Sequence, residues 1–359
     1  MKNNLKRIIF ILCMIMFTTL GVWAFSFRNM TLDFVHITDT HITQKASTSY
    51  KALAHSSELL ADAVKQINKI QGLDFVMFTG DMVDTATQEN YLEFYKTISK
   101  LEYPSLNAFG NHDFYGMDKK TALETVKKYN LNYVFDNTYY AFSPKTDYRI
   151  IVLDATNGEN TANGKLSDEQ LRFLDDELNQ NQDKVVLIAM HHPSVEPFVS
   201  YDHSILNANE INEILVKYTN PIVVISGHYH ATKIRTIGNL VFVSTPSMVT
   251  YPMAFRHIKI TNYKDRVHYN FELIETNLKD IQEENKQSVI SYAALAGMPK
   301  DRTVSYIYNK NKSKSVRYKR NKIKNAIAPS KTNKREIKKL SKPVKIKEKK
   351  IKEKKKQEV

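Results

Sequence analysis

The chain is poor in cysteine: Cys13 is the only one in 359 residues. No disulfide can staple the folded part, so its stability must come from core packing or from a metal site. Cys13 itself follows Leu12, not the small residue expected before a lipidated cysteine, and reads as incidental. Between residues 30 and 280 there is no Gly/Ser-rich linker and no internal repeat, so that span reads as one domain. Acidic residues are scarce at the C-terminal end, where residues 310–359 hold 22 Lys and Arg against 4 Asp and Glu. Residues 1–309 then hold 30 against 34, so the formal net charge of +14 belongs to the tail and the rest is mildly acidic. The tail also lacks aromatics beyond Tyr318, which leaves specific nucleic-acid recognition without a stacking platform.

At the N-terminus, Lys2, Lys6 and Arg7 precede an uncharged apolar run from Ile8 to Phe27. That is an export signal, close to the roughly 20 residues that span a bilayer. Residues 1–27 are therefore expected to be a signal peptide cleaved after Ala24 or an uncleaved membrane anchor. In both cases the positive-inside bias places the following domain outside the cytoplasm, secreted, periplasmic or anchored to the membrane.

From Leu32 onward, β-branched runs (LDFVHI, LDFVMF, YRIIVLD, KVVLIAM, PIVVISG, LVFVS) alternate with amphipathic helical patterns. Ser57–Ile70 places Leu60, Ala63, Val64 and Ile67 on one face, and Ser167 with Gln170 forms a capping box. This predicts an α/β domain over residues 28–280. DIQEENKQSVISYAALAGM reads as one further helix, making 281–309 a helical extension. The Lys-rich 310–359 buries too little apolar surface to offset its ordering entropy and is expected to be disordered. Its functional version is electrostatic attachment to an anionic cell surface or other polyanion.

The polar residues fall where the predicted strands end. FVHITDTH supplies Asp39 and His41, FVMFTGDMVD supplies Asp81 and Asp84, and LNAFGNHD supplies Asn111, His112 and Asp113. LIAMHHP adds His191 and His192, and IVVISGHYH adds His228 and His230. Ligands in α/β sheets collect at the carboxyl ends of strands, so these groups are expected to converge. Imidazole, carboxylate and carboxamide oxygen together suit two divalent ions (Mn, Fe or Zn), with Asp81 as the bridging carboxylate. Gly80, Gly110 and Gly227 precede ligand groups and suit tight turns. Only one of the adjacent His191 and His192 can face the site.

In this order, D-x-H, G-D-x-x-D, G-N-H-D, H and G-H-x-H resemble the calcineurin-like metallophosphoesterase superfamily, over roughly residues 30–260. The resemblance implies two facing β-sheets flanked by helices (an αββα sandwich). It also implies one ion on Asp39, His41, Asp81 and His230, and a second on Asp81, Asn111, His191 and His228. It selects His191 over His192. His112 matches the acid/base histidine, with Asp113 orienting its ring and Asp84 a supporting carboxylate. The position three after Asp81 is Asp84 and not tyrosine, which disfavours the purple acid phosphatases. The activity implied is hydrolysis of a phosphodiester or phosphomonoester by a metal-bridging hydroxide. Two rivals remain from the tail: a surface polyanion-binding protein, and an exported nuclease. His36, His55, His203, His257 and His268 have no motif around them and read as structural. Tyr50, Phe114, Tyr115, Tyr201 and Tyr229 read equally as pocket walls or core, and Asn157–Lys165 reads by default as an ordinary surface loop, with a loop at the site mouth as its functional alternative.

Overall fold

The computed structural model describes residues 30–48, 50–157, 161–200, 203–289, 292–312 and 314–327. The N-terminal apolar segment and the end of the basic tail lie outside them. In chain order the strands are β1 (Thr31–Ile37), β2 (Phe75–Thr79), β3 (Ser105–Ala108), β4 (Tyr140–Phe142), β5 (Tyr148–Val152), β6 (Val185–Ala189), β7 (Ile222–Ser226), β8 (Lys233–Ile237), β9 (Leu240–Ser244), β10 (Ala254–Asn262), β11 (Arg266–Glu275) and β12 (Val304–Asn309). The helices are α1 (Ser56–Ile67), α2 (Gln88–Ile98), α3 (Lys119–Tyr129), α4 (Asp168–Gln180), α5 (Ala208–Lys217), α6 (Lys279–Ser288), α7 (Tyr292–Ala296), α8 (Pro299–Arg302) and α9 (Val316–Ile327).

Two six-stranded mixed sheets form, in the orders β12-β11-β10-β1-β2-β3 and β4-β5-β6-β7-β9-β8. Within them β1, β2 and β3 run parallel, as do β5, β6, β7 and β9. The period of two along each strand decides what it buries. In the second sheet Ile150, Val152, Leu187, Ala189, Val223, Ile225, Val241 and Val243 join the core that the first sheet builds around Phe34, Phe78 and Phe271. The alternate residues Ile151, Val186, Ile188, Val224 and Phe242 face outward, under Leu174 and Leu178 of α4, Ile211 and Leu215 of α5, and Ile323 of α9. Helices α1, α2 and α3 pack on the first sheet through Ile67, Phe94 and Val126. The expected facing sheets flanked by helices are therefore present.

Capping follows the sequence in part. Ser167 Oγ accepts from the backbone N–H of Gln170, but the Gln170 side chain turns to Asp154, donating to its carbonyl and accepting from its N–H at 2.7 and 2.8 Å. A glutamine that ties β5 to α4 gives up the reciprocal cap.

Two boundaries differ from expectation. The span 281–309 is not wholly helical: α6 stops at Ser288, α7 and α8 are short, and β12 pairs antiparallel with β11. Tyr306 stacks on Tyr269 with ring centroids 4.7 Å apart, so alternating aromatics won over the short helical pattern. Part of the segment expected to be disordered is folded instead: α9 packs against β8 and α5. One helical face carries Lys319 and Ile323, both buried, and the Lys319 ammonium donates to the Tyr218 carbonyl and Asn239 Oδ1. Burying Ile323 contributes about 2 kcal/mol, which a count of lysines conceals. None of the helices among the described residues is long and apolar enough to cross a membrane.

Candidate metal centre

The parallel strands of both sheets deliver their C-terminal ends to one place. Asp39 and His41 follow β1, Asp81 and Asp84 follow β2, Asn111 and His112 follow β3, His191 follows β6, and His228 and His230 follow β7. Among the described residues, atoms able to ligate a metal fall into three overlapping groups whose members lie within 4.8 Å of one another: Asp39, His41 and His230; His41, Asp81 and His112; and Asp81, His191 and His228. Asp81 Oδ2 sits 3.7 Å from His41 Nε2 and 3.3 Å from His191 Nε2, between the two sets of imidazoles. The His41 and His230 Nε2 atoms are 3.2 Å apart, and His228 Nδ1 is 3.1 Å from His191 Nε2.

Backbone conformation marks the same residues. Asp39, His41, Asp81, His228 and His230 all have positive φ, between 43° and 69°. The left-handed region costs a residue with a Cβ roughly 1–2 kcal/mol, so five such residues persist only because their surroundings over-determine them. Hydrogen bonds supply that constraint. The Asp39 carboxylate accepts from Thr38 Oγ1 and from the His228 N–H, and Asp81 Oδ1 accepts from the His112 N–H at 2.9 Å. Glycine makes room. A Cβ on Gly227 would stand 2.3 Å from Asp39 Oδ2, and one on Gly110 would stand 2.2 Å from Asp81 Oδ1.

The donor set fits divalent cations. His191 Nδ1 donates to the Thr79 carbonyl at 2.7 Å, so Nε2, which faces Asp81, is the nitrogen that would give up its proton to a cation. His230 Nδ1 meets Thr250 Oγ1 at 2.9 Å, which fixes Nε2 toward Asp39, 3.3 Å away. Asn111 Nδ2 donates to Tyr115 OH, and Asn111 Oδ1 is buried with no partner. An orphaned carboxamide oxygen beside buried carboxylates is what a cation would satisfy. Burial opposes charge on Asp39, but His230 and His191 beside it outweigh that and hold its carboxyl down at about 2. Burial would likewise depress His191, yet the Asp81 carboxylate raises it to about 9. Burial takes His41 the other way, to about 3, with Lys51 adding to the effect.

One of the supporting roles differs from expectation. Asp113 does not touch the His112 ring: its carboxylate accepts from the N–H groups of Gly110, Met82 and Val83, bracing the turns that carry Asn111 and Asp81. His112 Nδ1 instead donates to the Asp84 carbonyl at 2.7 Å, with Asp84 Oδ1 3.7 Å away. Asp84 Oδ1 also lies 3.6 Å from His41 Nδ1, so one residue steadies both rings. His192 turns away, its Nε2 against the Ala162 carbonyl.

A cavity of about 480 Å3 opens onto these groups, lined by Tyr50, Lys51, Tyr115, Ala162, Phe198, His203 and Tyr229 among others. Ala162 lines the cavity, so the stretch read by default as an ordinary surface loop contributes to its wall. Phe114 is core, stacked on Phe109, and Tyr201 lies outside the described residues. His203 is a wall of the cavity, its ring 5.6 Å from that of His228, and not a remote structural histidine. Sequence reasoning missed Thr250 and Lys51 because both sit in loops with no ligand motif around them; only the fold brings them in.

The sequence profile of the calcineurin-like phosphoesterase family matches residues 32–232. A probable glycerophosphodiester phosphodiesterase of Arcobacter nitrofigilis is 29% identical over 227 residues, covering 61% of this chain and 79% of the relative. A 3',5'-cyclic-nucleotide phosphodiesterase of Nostoc sp. is 26% identical over 223 residues, covering 61% and 79%. Among solved structures, a dimetal phosphatase from Danio rerio superposes with a TM-score of 0.56 at 19% identity, covering 68% of this chain and 99% of its own, a likeness of fold. The chain belongs to the calcineurin-like phosphoesterase family.

Proposed function

We propose that this protein is a hydrolase that holds two divalent ions and cleaves phosphomonoesters or phosphodiesters outside the cytoplasm. The observation that carries the reading is Asp81 Oδ2, placed between His41 Nε2 and His191 Nε2 within groups of ligand atoms that come from both sheets. Asp39, His41, Asp81 and His230 would hold one ion, and Asp81, Asn111, His191 and His228 the other. Bound ions supply Lewis acidity and lower the pKa of water toward neutrality.

The protein's own share is positioning and proton transfer. The Asp84 carbonyl fixes the Nδ1–H tautomer of His112, so Nε2 is the atom that loses or gains a proton. The ring is about a fifth exposed, open to the cavity. In its protonated form it gives the proton to the departing alkoxide, so that no alkoxide must be released into a closed site. Phe198, Tyr50, Tyr115 and Tyr229 offer apolar walls to the leaving group.

Turnover of a panel of p-nitrophenyl mono-, di- and cyclic esters by the metal-loaded protein tests the activity. Absence of turnover on every member with manganese, iron and zinc would defeat the reading. The export-like N-terminus motivates the location, which a reporter fusion after residue 30 checks: reporter activity confined to the cytoplasm would exclude it. Attachment of the basic tail to anionic surfaces is tested by sedimentation with phosphatidylserine vesicles, where binding should fall steeply as salt rises.

A further inference from the structure

The geometry points to Lys51 as a second substrate-contacting residue, whose ammonium grips a non-bridging oxygen of the scissile phosphoryl group and favours esters with a doubly charged phosphoryl. This rests on the phosphoesterase reading above and adds a residue that none of the metal-ligand motifs contains. The lysine follows the β1 loop, where Thr48 N–H donates to its carbonyl and its own N–H donates to Thr48 Oγ1. That closed turn, with Ala52 N–H bonded to the Val249 carbonyl, sends the side chain into the cavity wall beside Tyr50. Its side chain is only 9% exposed.

A charge so enclosed needs compensation. Its nearest carboxylate oxygen, Asp84 Oδ1, is 4.0 Å away, beyond hydrogen-bonding range. Asp84 is already engaged: Lys45 Nζ donates to Oδ2 at 2.8 Å, and Oδ1 faces the Nδ1 atoms of His41 and His112. Lys45 is mostly exposed and satisfied by Asp84 and Thr85, so it explains itself as a surface pair. Lys51 is different. It lines the same cavity as Asp81, Asn111, His112 and His230, and the open side of its ammonium is the space a phosphoryl group would fill. A lysine is a compact point charge with three donors, suited to one phosphoryl oxygen. Hydrogen bonds to charged groups are worth enough that losing one costs roughly ten- to a hundred-fold. A dianionic monoester should lose more than a monoanionic diester, because the lysine meets the greater charge.

The test compares Lys51→Met, which keeps the stem, and Lys51→Arg with the wild-type protein. Expected for Lys51→Met is unchanged metal content, kcat/KM down roughly ten-fold or more on p-nitrophenyl phosphate, and a several-fold smaller loss on bis(p-nitrophenyl) phosphate. Lys51→Arg should recover part of the loss. Equal kcat/KM for wild type and Lys51→Met on both esters, or a loss that tracks lost metal, overturns the assignment. Calorimetric titration of the metal-loaded proteins with inorganic phosphate separates this from the functional reading. If the wild type cleaves no ester, the activity proposal fails, while weaker phosphate binding by Lys51→Met still supports the lysine's role and equal binding refutes it.

Discussion

Gly110→Ala should damage the site without asking the backbone for anything unusual. Gly110 has φ −106° and ψ 174°, extended values open to any residue, so the substitution meets no conformational penalty. The obstacle is contact. The new Cβ would stand 2.5 Å from the Asp81 backbone N and 2.2 Å from Asp81 Oδ1, where ordinary contact begins near 3.4 Å. One of the two turns must retreat by about 1 Å, and neither is free, since Asp113 ties the Gly110 and Met82 N–H groups together. Overpacking of this kind costs about 1–3 kcal/mol. A displacement of about 1 Å in a positioned group can cost on the order of a hundred-fold in rate. Expected are a lowered unfolding midpoint, weaker metal retention by mass spectrometry under native conditions, and kcat down by about two orders of magnitude. Gly72→Ala is the opposite case: φ is +81° with nothing within 4 Å, so it should lower stability by roughly 1 kcal/mol and leave kcat alone. Wild-type kcat and metal content in Gly110→Ala would refute the reasoning that this glycine exists to admit Asp81.

Three further expectations follow from other parts of the structure. His112→Ala should keep its metal and lose about 10²- to 10⁴-fold in kcat, with the loss greatest for esters of the most basic alcohols; a loss independent of the leaving group would argue against proton donation. Thr250→Val removes the hydroxyl that holds His230 Nδ1 and should weaken metal binding roughly 10- to 100-fold in a competition titration with a chelator, with the fold intact by circular dichroism. Burial holds Lys319 at about 8, below the roughly 10.4 of an unfolded lysine, so the unfolded chain binds the extra proton between those values. The penalty is full below pH 8 and vanishes above about pH 10.4. Measured against Lys319→Met, which cancels the other titrating groups, the wild type should gain stability across that window by at most about 1.4 kcal/mol per pH unit. A flat difference would contradict it.

Much of this was legible in the sequence because the relevant patterns are local. Each central parallel strand is a short β-branched run, and Asp39, Asp81, His191 and His228 follow such runs directly or within a few residues, whereas Asn111 follows the edge strand SLNA and is legible only through its GNHD motif. The long antiparallel strands β10 and β11 were less visible, since AFRHIKITN buries a charged Arg256 and RVHYNFELIE carries Arg266, Glu272 and Glu275 on a partly exposed face. Helix α9 hid behind its lysines, because its anchors are a single isoleucine and a lysine whose ammonium finds two oxygen acceptors only after folding. Asp113 was misread for a related reason. The family resemblance implied a ring partner for His112, whereas the short 3-10 turn at Asn111–Phe114 points its carboxylate back at the Gly110 N–H. Left-handed φ at the ligands left no trace in residue type, because all five are Asp or His where glycine would be the default.

The most direct test of the central claim is metal stoichiometry of the purified protein by elemental mass spectrometry, joined to turnover of p-nitrophenyl esters, for the wild type, Asn111→Ala and His191→Ala. Two divalent ions per wild-type chain, about one in each variant, and hydrolysis lost in step with the missing ion are the predicted result. Variants with the wild type's metal content and turnover would contradict the account.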